Sequence, residues 1–466
     1  DLDIAYLWQW HLGRVLKQQQ KWDDAIAAYE SAVLALKFLR NDLVAINQDV
    51  QFSFRKSIEP VYRESMEVLL QAPNAKQRNS NLEKSRDLIE ALQLKEIDNF
   101  FREACLDRQP ISLDSVVDQI AVETPLQRTA VIYPIILKDS LQVIVKLPQQ
   151  NLLRSHVTSV NQSTLETTLT KLREALLQPD PNETTRMLLK TVYDWMIRPI
   201  EAELQNNSVN TLVFVPDGAF RSIPLSALYD GKQYLIEKGY AVALNLGLQL
   251  QSPKAISREP LRVLAAGLTQ LEGELARSFE QLPGVAAELN AIEASGIAVT
   301  ELRDRQFTES NLIEQVNDKP YNIVHLATHG QFSSQADKTF IVASDKRIFV
   351  KEFDQLIRDR QRTQTQPIEL LLLSACETAK GDDRATLGLA GVAVKAGAQS
   401  TIASLWKVTD ESTAMLVKVF YEQLKTRNLS KAEALRQAQL ELVQRKELGY
   451  SAPRFWAPFI LIGNWL

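Results

Sequence analysis

Beyond Leu261, short apolar runs alternate with amphipathic stretches, and this alternation constrains the possible fold more than any other feature. Strands are predicted at 261–266, 297–301, 321–326, 368–373, 400–406 and 458–462, and helices at 282–294, 308–317, 386–396, 411–425 and 430–445. Strands that alternate with helices indicate a parallel sheet that is covered by helices on both faces. The sequence therefore predicts an α/β fold with a mostly parallel sheet.

Two of the predicted strands are followed by chemically reactive residues. His329 and Gly330 follow the run 321–326, and Cys376 follows the run 368–373. Ligands of open parallel sheets bind outside the carboxyl ends of the strands, so both reactive residues are expected on the same edge. A cysteine with a histidine about 50 residues upstream is also the arrangement found in caspases.

These residues have the chemistry that a cysteine nucleophile requires. A thiolate is the attacking species, and a nearby imidazole lowers the thiol pKa or takes its proton. The same imidazole can then protonate the leaving amine, while the N–H groups of Gly330 and Cys376 would form an oxyanion hole. The alternative is structural, because a cysteine on a buried strand usually packs as a small apolar residue.

Five stretches of this chain resemble the CHAT domain, a caspase-like family that is related to separases and often fused to tetratricopeptide repeats. They are Val-Pro-Asp-Gly-Ala-Phe-Arg-Ser-Ile-Pro (215–224), His-Leu-Ala-Thr-His-Gly (325–330), Leu-Ser-Ala-Cys-Glu-Thr (373–378), Gly-Leu-Ala-Gly-Val-Ala (388–393) and Ala-Ser-Leu-Trp-Lys-Val-Thr-Asp (403–410). The resemblance implies a caspase-like α/β/α sandwich, with His329 as base and Cys376 as nucleophile. The caspase word Gln-Ala-Cys-x-Gly is absent, so cleavage after Asp is not implied.

The resemblance also implies a residue that binds substrate. Asp410 is the last residue of a Leu-Trp-x-Val-Thr-Asp motif that is similar to one in separases. In separases, acidic residues of this region hold a basic P1 side chain. Asp410 would therefore favour cleavage after Arg, or less readily after Lys. The alternative is that Asp410 serves only as the N-cap of the next helix.

Three other residues receive structural interpretations. His325 is expected to lie deeper in its strand than His329 and to reach the helix layer. Asp217 and Arg221 are interpreted as a turn aspartate and a surface arginine, with support of the active site as the alternative.

The N-terminal part is predicted to be all-α. Leu12, Gly13, Ala25, Tyr29 and Ala32 match the small and large positions of a tetratricopeptide repeat, although any amphipathic helical hairpin would also fit. One repeat is not stable alone, so further repeats are expected before the first residue.

Together with the helical N-terminal region, the resemblance to the CHAT domain implies that the chain has three parts. They are a helical, tetratricopeptide-like region at 1–108, a degenerate caspase-like half at 109–260 and a catalytic caspase-like half at 261–466. Cys105 ends a helical apolar stripe and is predicted to be buried and inert.

Composition argues against several classes of partner. The net charge is −4 and no basic block stands out, so a nucleic-acid partner is not expected. No apolar stretch reaches the ~18 residues of a membrane span.

Two cysteines exclude a disulfide framework and favour a reducing, cytoplasmic compartment, although the start at Asp1 leaves a removed signal peptide open. Four histidines and two distant cysteines give no zinc-site spacing, and no cofactor is expected.

The predicted function is a cysteine endopeptidase whose Cys376–His329 dyad cleaves a protein substrate. Its N-terminal helices would recruit that substrate or a regulatory protein. The alternative is a non-catalytic signalling scaffold in which both parts are interaction modules. An alkylation assay separates the two, because a low-pKa thiolate reacts with iodoacetamide at mildly acidic pH and a buried structural thiol does not.

Overall fold

The computed structural model describes most of the chain. The described residues are 2–38, 58–74, 76–101, 113–124, 127–178, 183–246, 260–333, 335–350, 352, 367–374, 376–378, 386, 388–389, 392, 396–426 and 429–466. Within them, N-terminal helices precede one large, mostly parallel sheet, so the fold is α/β. Cys105, the predicted boundary after residue 108 and most of the predicted helix 386–396 lie outside the described residues.

Five helices form the N-terminal part of the described chain. They are α1 (Leu2–Gln18), α2 (Trp22–Phe38), α3 (Glu59–Gln71), α4 (Arg78–Phe101) and α5 (Leu113–Glu123). A Cβ on Gly13 of α1 would lie 2.7 Å from the Tyr29 ring of α2, so only glycine permits this close helix contact. The predicted helical hairpin is confirmed, and its assignment to the tetratricopeptide repeats stays a prediction.

A single carboxylate joins α1, α2 and α3. Glu64 on α3 accepts hydrogen bonds from Trp10 Nε1 (2.8 Å), Arg14 Nε (2.9 Å) and the Tyr29 hydroxyl (2.9 Å). Burial alone would raise the pKa of Glu64, but these donors lower it below its usual value. The carboxylate therefore stays ionised at neutral pH and holds the three helices together.

The central sheet contains eleven of the described strands, in the order β3-β2-β1-β4-β5-β15-β14-β12-β8-β6-β7. These strands are β1 (Thr129–Ile136), β2 (Leu141–Lys146), β3 (Arg154–Thr158), β4 (Thr211–Phe214), β5 (Ala241–Leu244), β6 (Arg262–Gly267), β7 (Ala298–Arg303), β8 (Ile323–Ala327), β12 (Leu370–Leu373), β14 (Ser400–Ser404) and β15 (Phe459–Gly463). β1, β2 and β3 pair antiparallel, β14 pairs antiparallel with β15, and the remaining pairs are parallel.

The helices of the second part lie between these strands. They are α6 (Gln162–Leu176), α7 (Glu183–Met196), α8 (Glu201–Asn206), α9 (Gly273–Ser278), α10 (Val285–Ala294), α11 (Glu309–Asp318), α12 (Asp410–Lys425), α13 (Lys431–Gln444) and α14 (Pro453–Trp456). The crossovers through α10 and α11 run in opposite directions along the sheet, so right-handed connections put these helices on opposite faces. The fold is the expected α/β/α sandwich.

Pro134 lies within β1. Proline in a strand is usually confined to an edge or a bulge, but β1 lies inside the sheet, between β2 and β4. The pairing with β4 covers only Thr129 to Ile132, so Pro134 lies beyond that ladder. On the other side Pro134 is paired with Val143 of β2 without interrupting the hairpin.

A second, smaller sheet was not predicted. Its strands are β9 (Gly330–Phe332), β10 (Phe340–Val342), β11 (Arg347–Phe349) and β13 (Cys376–Thr378), in the order β11-β10-β9-β13. Runs of three residues are too short to show an alternating pattern. This sheet continues from the carboxyl ends of β8 and β12, where the predicted reactive residues lie. Among the described helices, none is long and apolar enough to cross a bilayer.

Candidate active site at the sheet rim

Parallel strands bring the predicted catalytic residues to one edge of the sheet, here called the rim. β8 and β12 are neighbours, with Leu326 beside Leu373 at their carboxyl ends. The segments that follow β8 and β12 enter the small sheet, where Cys376 of β13 is paired with Gly330 of β9. The backbone of Cys376 therefore lies about one strand spacing, ~4.8 Å, from the residue that follows His329.

Two hydrogen bonds with Val342 of β10 hold the backbone at Thr328 and His329. The Thr328 hydroxyl donates to the Val342 carbonyl at 2.7 Å, and the Val342 N–H donates to the His329 carbonyl at 2.8 Å. Thr328 is fully buried, so this anchor is shielded from water. The backbone at His329, just beyond the end of β8, is consequently held in place.

The His329 ring has a defined orientation. Its Nε2 lies 2.7 Å from the backbone carbonyl of Glu280, and the Phe279 ring stacks on it with centroids 5.2 Å apart and planes inclined by 30°. A carbonyl can only accept a hydrogen bond, so Nε2 carries the proton in this contact. In the neutral ring, Nδ1 is then the basic nitrogen.

The two predicted oxyanion donors are ladder neighbours. Gly330 is paired with Cys376 on one side and with Ile341 of β10 on the other. Their N–H groups as oxyanion donors stay a prediction. The predicted contact between the Cys376 thiol and the His329 ring falls outside the described part of the structure, as does the Asp410 carboxylate.

Asp410 follows the next strand of the rim. β14 pairs in parallel with β12, with Ala403 beside Leu373, so the segment after β14 leaves the sheet at the same edge. α12 begins at Asp410 itself, and Thr409 occupies the N-cap position. Asp410 is therefore in the first helical turn rather than at the N-cap that the alternative interpretation assumed.

A family model described as the CHAT domain matches residues 186–464, which is more than half of the chain. The chain belongs to the CHAT-domain family. No curated protein sequence matches it.

Solved structures are similar to this CHAT protein at low sequence identity. A chain of the Saccharomyces cerevisiae separase–securin complex is 12% identical with a TM-score of 0.52, covering 95% of this chain and 37% of that one. The Arg-specific cysteine proteinase gingipain R of Porphyromonas gingivalis is 11% identical with a TM-score of 0.37, covering 65% of this chain and 74% of that one. The chain thus spans little more than a third of the yeast chain, and the likeness concerns the fold.

The stretch 215–224 of the CHAT domain binds the N-terminal helices. The fully buried Asp217 carboxylate accepts two hydrogen bonds from Arg63 of α3, each at 2.9 Å. The interpretation of Arg221 as a surface residue is wrong, because it is 1% exposed and pairs with Glu96 of α4 at 2.6 Å. Its carbonyl also accepts a hydrogen bond from the Thr386 hydroxyl at 3.0 Å.

Sequence reasoning missed three residues around His329. Phe279 and Glu280 lie in a connection without a motif, so no sequence signal marks them. Lys407 pairs with the Glu280 carboxylate. It lies within the stretch 403–410 that resembles the CHAT domain, but in that stretch a role in the site is predicted only for Asp410. Among the described residues, no cluster of His, Cys, Asp or Glu is arranged to hold a metal ion.

His325 reaches the helix layer, as predicted. It is fully buried, with Nε2 2.8 Å from the Glu288 carboxylate of α10 and Nδ1 3.0 Å from the Tyr421 hydroxyl of α12. Burial and the nearby charge of Glu288 raise the pKa of Tyr421 well above its usual value, so this hydroxyl keeps its proton. These contacts join two helices to β8 below the rim.

We expect His325→Asn to lower the free energy of unfolding by about 3 kcal/mol, because it leaves the buried Glu288 carboxylate without its partner. Turnover per folded molecule should persist. Urea unfolding measures the first quantity, and peptide hydrolysis normalised to the folded fraction measures the second. His156→Asn is the control, since His156 also faces a carboxylate, Glu203 at 3.4 Å, but is partly exposed. Loss of turnover as complete as in His329→Ala, without unfolding, would reverse the ranking of the two histidines.

Proposed function

We propose that this CHAT-domain chain is a caspase-like cysteine endopeptidase with Cys376 as nucleophile and His329 as general base. The observation that carries the proposal is the pairing of Cys376 with Gly330 beside an oriented imidazole. The family and the separase-like fold support the same reaction class.

The chemistry follows from the ring orientation. Nδ1 of His329 takes the proton of the Cys376 thiol, and the thiolate attacks the carbonyl carbon of the scissile peptide bond. The N–H groups of Gly330 and Cys376 stabilise the oxyanion that develops. The imidazolium then protonates the leaving amine, and a water molecule activated by the same imidazole hydrolyses the thioester.

The proposed substrate is a protein, and the N-terminal helices are the proposed site for that substrate or a regulatory protein. The yeast separase chain was solved in complex with a protein, securin. In this chain a cleft of about 1620 Å³ separates α1, α2 and α3 from α6 and is lined by both acidic and basic side chains, among them Glu67 and Lys171. Such a surface suits a polar polypeptide segment. A reduced thiol is required, which fits a cytoplasmic location.

The proposed specificity is for a basic P1 residue, with Asp410 as its anchor. A carboxylate can grip a guanidinium through two parallel hydrogen bonds, whereas an ammonium makes only point contacts. The position of Asp410 after β14, on the rim that holds His329 and Cys376, supports this role.

We expect peptides with Arg at P1 to be cleaved best, followed by Lys, with Leu and Asp poor. Asp410→Ala should lower kcat/KM for the Arg peptide about 100-fold, because the guanidinium would enter the pocket unpaired, and leave the Leu peptide nearly unchanged. A peptide library with Arg, Lys, Leu or Asp at P1 measures this, with Cys376→Ala as the blank. Glu411→Ala, the next residue of α12, whose side chain is exposed, is the matched control. A wild-type preference for Leu, Met or Asp would discard the basic pocket, and equal loss for every P1 residue would assign Asp410 a structural role.

A further inference from the structure

Residues 279–281, here called the strap, lie between α9 and α10 and contact the candidate catalytic histidine. Two consecutive residues act on the same ring, since Phe279 stacks on His329 and the Glu280 carbonyl accepts from its Nε2 at 2.7 Å. The stacking fixes the plane of the imidazole, and the hydrogen bond fixes the direction in which Nε2 points. The orientation of the imidazole therefore depends on where the strap lies.

The base of the strap is fastened by a side-chain amide. Gln281 Oε1 accepts from the Leu271 N–H at 2.7 Å, and its Nε2 donates to the Leu271 carbonyl at 3.2 Å. Just upstream of Leu271, the Thr269 N–H donates to the Asp304 carboxylate at 2.6 Å, and the Thr269 hydroxyl donates to the same group. The connection from β6 to α10 is thus closed at its base by hydrogen bonds within the chain.

The tip of the strap is fastened to the segment that precedes Asp410. The Glu280 carboxylate forms an ion pair with Lys407, which lies between β14 and α12. The hydrogen bond from Lys407 lowers the pKa of Glu280; the Glu280 side chain is 80% exposed and that of Lys407 44%. One side of the rim is therefore joined to the other across the candidate site.

An arginine also contacts the Phe279 ring. The Arg347 guanidinium lies 5.3 Å from the Phe279 ring centroid and 5.2 Å from that of Phe340, and the two rings meet edge to face at 6.2 Å. Phe279 therefore contacts both the His329 ring and a cation–π partner. These contacts favour the position in which its ring stacks on the imidazole.

We propose that Phe279 and Lys407 are positioning residues for His329, which hold the Glu280 carbonyl against Nε2 so that Nδ1 faces the Cys376 side of the rim. This inference rests on the proposed endopeptidase function. Neither residue touches the reacting atoms. Their effect is to keep the imidazole in one tautomer and one orientation, and a misplacement of about 1 Å in such a group can cost 100-fold in rate.

The test combines kinetics with nitrogen-15 NMR of the histidine rings, of which the chain has four. In the wild type we expect the His329 signals of an Nε2–H tautomer, assigned by their loss in His329→Ala. Phe279→Leu should give a mixture of both tautomers and lower kcat about 100-fold at nearly constant KM. Phe279→Tyr keeps the stacked ring and should restore both readouts. Phe349→Leu is the matched control, because Phe349 packs on Phe340 at 5.6 Å and not on His329.

Lys407→Met tests the second positioning residue without altering the aromatic cluster. An exposed ion pair is weak, so we expect kcat to fall only about 5-fold, with a small admixture of the second tautomer. Lys346→Met is its control, since Lys346 pairs with Glu309 and Glu352 instead. Equal effects of the two lysine changes would remove Lys407 from the proposal.

The outcomes separate the strap from the proposed function. An unchanged tautomer in folded Phe279→Leu overturns the strap, whatever the wild type hydrolyses. If Phe279→Leu changes the tautomer as expected but the wild type has no peptidase activity, the result supports the strap and overturns the endopeptidase. An equal loss of kcat in Phe349→Leu and Phe279→Leu would mean that the cluster is only structural, and would also overturn the strap.

Discussion

Cys376→Ala should abolish peptide-bond hydrolysis, and His329→Ala should reduce it to the same background. The expected loss in kcat is about 10⁴-fold or more for each, because a nucleophile and its base act as a unit. For the same reason the double variant should be no worse than either single one. Both residues lie at the rim rather than in the core, so the free energy of unfolding should fall by only about 1–2 kcal/mol. Hydrolysis of the best library peptide, with urea unfolding of each variant, measures both quantities.

The control for the nucleophile is the other cysteine of the chain. Cys105→Ala should retain full turnover, and iodoacetamide should still inactivate it at mildly acidic pH. His329→Ala should move the alkylation of Cys376 to more alkaline pH, because the imidazolium no longer stabilises the thiolate. Turnover that survives Cys376→Ala would show that the nucleophile is another residue. A wild-type Cys376 that resists alkylation would favour the signalling scaffold.

Much of the fold could be predicted because the main strands are long enough to leave a pattern. All six strands predicted beyond residue 260 are present, each within two residues of its expected bounds. The rim follows from the same pattern, because parallel strands place their carboxyl ends together. His325 and His329 were also separated correctly by depth in β8, since His325 lies within the strand and His329 beyond its end.

What could not be predicted depends on contacts between distant parts of the chain. Phe279 lies 50 positions from His329, and its contact with that ring forms only when the β6–α10 connection folds over the rim. Arg221 was misjudged because an arginine after a turn is usually exposed, and nothing near it indicates that Glu96 would neutralise it. Side-chain pairs of this kind leave no periodic signal, so only the tertiary structure reveals them.

The pairing of Arg63 with Asp217 gives the second large prediction, which concerns stability. Asp217 is fully buried and also accepts the Ile136 N–H at 3.0 Å, whereas the Arg63 side chain is 26% exposed and keeps a second partner, Glu59, at 2.8 Å. Removing the arginine therefore leaves a buried carboxylate without its hydrogen-bonded counter-charge, with only the weaker influence of Arg221 remaining. Removing the aspartate leaves a cation that still has a partner and some water.

We therefore expect an asymmetric result. Arg63→Met should lower the free energy of unfolding by about 4 kcal/mol, and Asp217→Asn by about 2 kcal/mol, since asparagine retains an oxygen that can accept hydrogen bonds. A double variant that combines Arg63→Met with Asp217→Leu should recover most of the loss, because the carboxylate that loses its partner is also removed. Arg198→Met is the control, since its pairs with Asp194 and Glu201 are on the surface, and about 0.5 kcal/mol is expected. Urea unfolding followed by circular dichroism measures each value.

The pH dependence tests the same pair independently. Burial alone would raise the pKa of Asp217, but the Arg63 guanidinium, together with Arg221 and the Ile136 N–H, lowers it below its usual value. A depressed carboxyl pKa stabilises the folded state fully above the unfolded pKa, about 3.9, and this contribution is lost as the pH falls through the lower folded value.

Without Arg63, burial dominates and the carboxyl pKa rises. Arg63→Met should then lose its deficit relative to wild type as the pH is lowered from 7 towards 4, because protonation removes the unpaired charge. A deficit that stays constant over this range would show that Asp217 is not the group left unpaired.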